Sequence, residues 1–370
     1  MSKSSVLITG GCGFIGRHLA NELLDNDYSV RVLDSLVQQV HGQAEVSLDS
    51  RIDRIEGDVR DKELVRRALE GVGCVVHLAA EVGVGQSMYE ISRYVGANDL
   101  GTAVLLESLI DHPAKRLVVA SSMSVYGEGL YVTKSGEVRT NARRDKRQMR
   151  PGCWGPIDGQ GAELIPVATN EDKAVDLASI YALTKYTQER AFLIFAGAYG
   201  REAVALRLFN VFGPGQALSN PYTGVLANFA SRLANGERPI IFEDGEQRRD
   251  FVHVRDVARA FRLALEQPNA AGRTINIGSG HSYAIKDVAI MLAEAMGVPH
   301  LKPEILDKAR SGDIRNCFAD ISRARELIGY EPQERLEDSL TELAAWVRET
   351  RAVDGGSLMR RELEERGLVS

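Results

Sequence analysis

Cysteine is scarce in this chain. Four occur in 370 residues, at Cys12, Cys74, Cys153 and Cys317, and no two form a C-x-x-C pair. That scatter excludes a disulfide framework and a zinc site of the usual spacing, so no metal is expected. Long apolar runs are missing too. Nothing approaches the ~18 residues that a membrane-spanning helix needs. A strong excess of one charge is also lacking. The net charge is −6, which argues against a general nucleic-acid binder. Apolar β-formers begin within five residues of Met1, leaving no room for a signal peptide. These absences together point to a reducing cytoplasm. What is present is ordinary for a globular protein: 44% hydrophobic and 26% charged residues, which excludes wholesale disorder. A length of 370 residues suits two lobes.

The densest information lies in Val6-Leu7-Ile8-Thr9-Gly10-Gly11-Cys12-Gly13-Phe14-Ile15-Gly16. A strand pattern runs into clustered glycines, and an amphipathic helix pattern over 14–26 opens at once. Glycines there permit a tight turn, close approach of backbone to a pyrophosphate, and tight helix–strand packing. The free N–H groups of the helix start then face the phosphates. Gly10-x-x-Gly13-x-x-Gly16 and Gly11-x-Gly13-x-x-Gly16 can both be read, so the glycines leave the subclass open. A second strand over 28–33 ends at Asp34, 18 residues after Gly16. At that spacing a carboxylate binds the ribose 2′-OH of NAD and repels the 2′-phosphate of NADP.

Strand and helix patterns alternate through the first 125 residues, as in a doubly wound parallel sheet of Rossmann type. Further strands are expected over 51–56, 73–77 and 116–120, with helices over 61–69 and 92–111. Polar residues gather at the strand ends Gly57-Asp58, Leu78-Ala79-Ala80 and Ser121-Ser122. Ligands bind along that carboxyl edge. The stretch of about 128–176 is read as a long loop insert with a basic run, Arg143 to Arg150, that could steer an anionic substrate. The expected division is an NAD-binding lobe over 1–208, with a returning segment at about 250–268, a smaller α/β substrate lobe over 209–345, and a charged, peripheral helical tail over 346–370.

Tyr181 and Lys185 stand four residues apart, on one face of a helix read over 181–199. A phenol is a poor base at neutral pH, and a neighbouring ammonium and a bound nicotinamide cation would favour its phenolate. Ser122, at a strand end, can hydrogen-bond the same reacting oxygen. Together with Gly57-Asp58-Val59, His77-Leu78-Ala79-Ala80, Asn98-Asp99-Leu100-Gly101-Thr102, Arg207 to Pro214 and Arg249-Asp250-Phe251-Val252-His253-Val254, this set resembles the extended short-chain dehydrogenase/reductases. The resemblance covers about residues 5–345. It implies that Tyr181 is the catalytic base and Ser122 its assistant, and that Lys185 also binds the nicotinamide ribose. It places Gly10, Gly13, Phe14, Ile15, Gly16, Asp34, Asp58, Val59, Leu78, Ala79, Ala80 and Asn98 around NAD, with Asp58 on the adenine.

Within that family the residues after Ser122 discriminate. Dehydratases carry an acidic pair there, decarboxylases a Glu and fucose-type epimerase-reductases a Cys. Met123 and Ser124 match none of these. One base and one hydride acceptor remain, which resembles a nucleotide-sugar 4-epimerase. The resemblance implies that Asn210, Arg249 and Arg310 hold the diphosphate. It also implies that Gln86, Ser87 and Ser124 lie at the sugar, and that Cys317, seven residues after Arg310, lines the sugar pocket. The segments 81–89 and 215–224 are most similar to the branch acting on dTDP-L-rhamnose. UDP-hexose epimerisation and net reduction of a 4-keto sugar are the alternatives. Helices over 101–111 and 181–199 carry apolar stripes broader than one core face needs, and relatives pair these helices, so a homodimer is expected. No nucleic-acid or membrane partner is.

Overall fold

The protein is described from a computed structural model, which covers residues 4–42, 46–144, 149, 152–218, 220, 222, 224–310, 312–350 and 356–369. Seven parallel strands form the central sheet: β1 (Ser5–Thr9), β2 (Ser29–Asp34), β3 (Asp53–Glu56), β4 (Cys74–His77), β5 (Arg116–Ser122), β6 (Glu202–Leu208) and β7 (Thr274–Ile277). They lie in the order β7-β6-β5-β4-β1-β2-β3. The order reverses between β1 and β4, which pair directly, and a crevice opens at that switch point. Strand interiors such as Val6-Leu7-Ile8 and Leu117-Val118-Val119 are wholly buried, as expected of a sheet covered on both faces.

The covering helices are α1 (Phe14–Leu24), α2 (Lys62–Leu69), α3 (Gly101–Asp111) and α4 (Ile180–Tyr199). In the second lobe lie α5 (Val225–Ala234), α7 (Ile285–Ala295) and α8 (Leu336–Glu349), which share one apolar core. Between them in sequence, α6 (Val254–Glu266) returns to pack on α1, where Leu19 and Leu23 meet Phe261 and Ala264 in one cluster. The chain therefore threads both lobes more than once.

Four expectations change. β7 lies beyond the returning segment and inside the stretch assigned to the second lobe, yet it pairs with β6 across Thr274–Ala205 to Ile277–Leu208. The helix read over 92–111 is three pieces, Ile91–Tyr94, a wide turn of π type over Val95–Leu100, and α3. The insert is partly built: Leu130–Val132 pairs with Val138–Arg139 and with Ile165–Val167. Of its basic run, Arg144 is bound inward to Glu128 and Glu243, whereas 145–148 and 150 lie outside the described residues. The tail is not peripheral. α8 extends to Glu349 with Leu343 and Val347 buried, and a further helix, Gly356–Glu365, carries the fully buried Leu363.

Candidate active site

The crevice continues into a cleft between the lobes. Its cofactor half is built on the glycine loop. Gly10 has φ +70°, and a Cβ there would lie 2.8 Å from the backbone nitrogen of Ala79. A Cβ on Gly16 would lie 2.6 Å from the carbonyl oxygen of Gly10. Glycine is thus dictated by close backbone approach at both positions. Gly13 caps α1 and leaves its first N–H groups without a side-chain partner, open to an anion. Asp34 accepts from the N–H of Cys12 and of Leu36, both at 2.9 Å. Burial pushes its carboxyl up, but His41 and these two N–H groups outweigh burial and hold it below the usual range. It lines the cleft as an anion where a ribose hydroxyl would need an acceptor. Gly10, Gly13, Phe14, Ile15, Gly16, Asp58, Val59, Leu78, Ala79 and Ala80 line the same half, with Asp58 held by Arg60 at 2.6 Å.

The reacting groups come from β5 and α4. Ser179 caps α4 by accepting from Ala182 N–H at 3.1 Å, and Ser87 Oγ accepts from Tyr181 N–H at 3.0 Å. Glu189 anchors α4 to the sheet through a buried bidentate pair with Arg207, at 2.9 and 2.6 Å, and accepts from Ser121 Oγ at 2.7 Å. The i,i+4 spacing then carries Tyr181 and Lys185 into the cleft beside Ser122. Burial raises the Tyr181 phenol and a hydrogen bond with Ser122 lowers it, with burial the larger effect. Ser124 Oγ donates to Ser122 Oγ at 3.0 Å. Burial brings the Lys185 ammonium down to about 7, opposed by Glu189.

Gln188 was missed in the sequence, although it lies one turn after Lys185 on the same face. Its Oε1 accepts from Lys185 Nζ at 2.6 Å. Its Nε2 lies 3.0 Å from His77 Nε2 and 2.9 Å from Thr102 Oγ1. His77 Nδ1 lies 2.7 Å from Thr9 Oγ1. A buried polar chain thus runs from the lysine to the end of β1, under the glycine loop. Burial brings His77 down to about 3.

The substrate half lies toward the second lobe. Ser124 and Asn210 line both halves, and Asn210 Oδ1 is buried without a protein partner, as an atom waiting for a ligand donor would be. Arg249 and Arg310 line the substrate half on either side of Asp313, at 3.4 and 3.3 Å. Burial pushes the Asp313 carboxyl up, but Arg310, Arg249 and Arg144 outweigh it. Val84, Gly85, Tyr222 and Phe242 complete the wall.

Four of the expected residues stand behind that wall. Asn98 holds the loop after β4, with Glu81 N–H donating to its Oδ1 at 2.7 Å and its Nδ2 donating to Thr184 at 2.9 Å. Gln86 is spent on Gln39, at 3.0 Å, and on Glu90 and Tyr94. Ser87 acts on Tyr181 through its backbone. Cys317 is a correction: it is 0% exposed, packed in the core with its Sγ 4.0 Å from Thr169 Oγ1, and lines neither half of the cleft.

The family model for the NAD dependent epimerase/dehydratase family matches residues 6–148 and 156–278. The chain belongs to that family. It is similar to a dTDP-L-rhamnose 4-epimerase from Burkholderia thailandensis, at 34% identity over 349 residues, 92% of this chain and 94% of the relative. Among solved structures it resembles a UDP-N-acetylglucosamine 4-epimerase from Methanobrevibacter ruminantium, at TM-score 0.76 and 30% identity, covering 94% of this chain and 98% of the other. It also resembles a UDP-glucuronic acid 4-epimerase from Bacillus cereus solved with UDP-glucuronic acid and NAD, at TM-score 0.77 and 27% identity, covering 93% and 99%. The chain is an NAD-dependent epimerase of the nucleotide-sugar class. NAD is its cofactor, and the glycine cradle, the open start of α1 and the Asp34 carboxylate fit it. Among the described residues no helix is long and apolar enough to cross a membrane.

Proposed function

We propose that the protein inverts C4 of a nucleotide-diphosphate hexose through a transient 4-keto sugar, with dTDP-L-rhamnose as substrate. One observation carries the C4 chemistry: Tyr181, Lys185 and Ser122 converge at the cleft with no second acid or base on the residues after Ser122. Bound NAD supplies a hydride acceptor that can return what it takes. Tyr181 removes the C4 hydroxyl proton and gives it back. Ser122 orients that hydroxyl through its bond to Tyr181, and its own Oγ is steadied by Ser124. Lys185 lends positive charge to the phenolate. Gly10, Gly13 and Asp34 would hold the pyrophosphate and ribose of the cofactor.

The sugar must turn over while its nucleotide stays. Asn210, Arg249 and Arg310, which line the substrate half, would keep the diphosphate, a task that guanidinium groups suit. The identity of the sugar is supported by the 34% identical relative named for dTDP-L-rhamnose. We further assign a homodimer. Leu100 and Ile110, before and on α3, and Leu183 and Ile194, on α4, are 44–62% exposed on neighbouring helices, an apolar face suited to a second copy. A cytoplasmic setting suits the four free cysteines. Proton NMR of the purified protein with dTDP-L-rhamnose, UDP-glucose, UDP-glucuronate and UDP-N-acetylglucosamine, without added NAD, tests the reading. A new C4 epimer from dTDP-L-rhamnose is expected. Oxidation of a sugar to its 4-ketone only with added NAD⁺, which accumulates as free NADH, would instead favour a net ketoreductase running in reverse.

A further inference from the structure

The outer side of the substrate half is backed by residues that follow α8. Glu362 accepts hydrogen bonds from the hydroxyls of Tyr222 and Tyr89, the latter at 3.0 Å. Leu363 is 1% exposed, and a Cβ on Gly85 would sit 3.3 Å from its Cδ2. Arg366 lies over the Tyr89 ring, 4.2 Å from its centre. Val369 makes an antiparallel bridge with Arg310. Tyr222, Gly85 and Arg310 are wall residues of the substrate half. One short segment therefore ties together three stretches of chain that line the cleft.

We propose that residues 362–369 back the outer wall of the sugar site, and that Glu362 biases this site toward uncharged hexoses. The inference rests on the nucleotide-sugar reading given above. The helical turn Val84–Ser87 carries Val84 and Gly85 and also Ser87, which holds the first turn of α4 at Tyr181, so this wall faces the sugar end of the cleft. With its hydroxyl drawn to Glu362, Tyr222 has no donor left for a sugar oxygen there. Val84, Gly85 and the Tyr222 ring make that wall apolar, which suits the methyl of a 6-deoxyhexose. A uronate carboxylate would meet an apolar wall backed by the negative charge of Glu362. Like charges repel more strongly where water is partly excluded than in bulk solvent.

Calorimetric titration of the NAD-loaded protein with UDP-glucose and UDP-glucuronate tests this without turnover. In Glu362→Gln the amide oxygen can still accept from Tyr222, and only the charge is lost. Its affinity for UDP-glucuronate relative to UDP-glucose is expected to rise at least about threefold, with NAD content unchanged. A chain ending at residue 350, still loaded with NAD, is expected to bind both sugars at least about tenfold more weakly. An unmoved ratio in Glu362→Gln, or unchanged affinities in the shortened chain, would overturn the inference. A wild-type protein that binds neither of these sugar nucleotides nor dTDP-L-rhamnose would overturn the underlying reading instead.

Discussion

Replacing Tyr181 with Phe removes one oxygen from the cleft. The ring keeps its edge-on packing against Tyr94, at 6.5 Å between centres. Ser122 is not orphaned, because Ser124 Oγ and Ser124 N–H still reach it at 3.0 and 3.2 Å. The stability cost is then that of one hydrogen bond, about 1 kcal/mol. The cofactor loop and Asp34 are untouched, so NAD should remain bound. The kinetic cost is that of a lost general base, at least about a hundredfold, or ~2.7 kcal/mol in the barrier. Thermal melting, the absorbance of bound NAD and NMR-followed epimerisation measure the three quantities on one sample. A folded, NAD-loaded Tyr181→Phe protein with near-wild-type turnover would refute the assignment of the base.

The other predictions concern the fold around the site. His77 is held neutral down to about 3 by burial, against an ordinary 6.5. Between those values the unfolded chain binds a proton that the folded one refuses, so stability falls as pH drops below about 6.5. The loss reaches ~3 kcal/mol by about pH 4. Urea titrations should show a shallower acid slope in His77→Gln, and an identical slope would contradict this. Cys317→Tyr adds a ring to a fully buried position. It should destabilise by at least about 1–3 kcal/mol without selecting among sugars. A selective loss of C2-substituted sugars from a protein of unchanged stability would restore Cys317 to the pocket. Light scattering at micromolar concentration should give twice the 40.5 kDa chain mass, and a monomer mass would remove the proposed dimer.

Much of the cofactor half was legible because it is local. Strand, glycine turn and helix follow one another within Val6–Gly16, and Asp34 ends the next strand, so spacing alone located them. The pairing of Tyr181 with Lys185 was legible for the same reason, as one helical turn. The substrate half was less so, because its wall is assembled from segments far apart in sequence. Arg310 could be found by its motif, but nothing local places Tyr222 or Val369 beside it. Cys317 shows the limit of counting from a motif. The strand carrying it pairs with Arg248–Arg249, and its side chain turns into the core rather than the cleft. β7 is not legible because Thr274–Ile277 is four residues long and follows the returning segment, and its pairing with β6 reveals it. The tail reads as charged surface, yet Leu363 is buried by tertiary packing that no helical pattern specifies.

The most direct test of the central claim uses dTDP-L-rhamnose carrying deuterium at C4, incubated with protein to which no NAD has been added. If the chain oxidises C4 and reduces it again with its own bound cofactor, the C4 epimer forms and keeps its deuterium at C4. An epimer that has lost its C4 deuterium to water, or no epimer from any nucleotide sugar, would contradict the account.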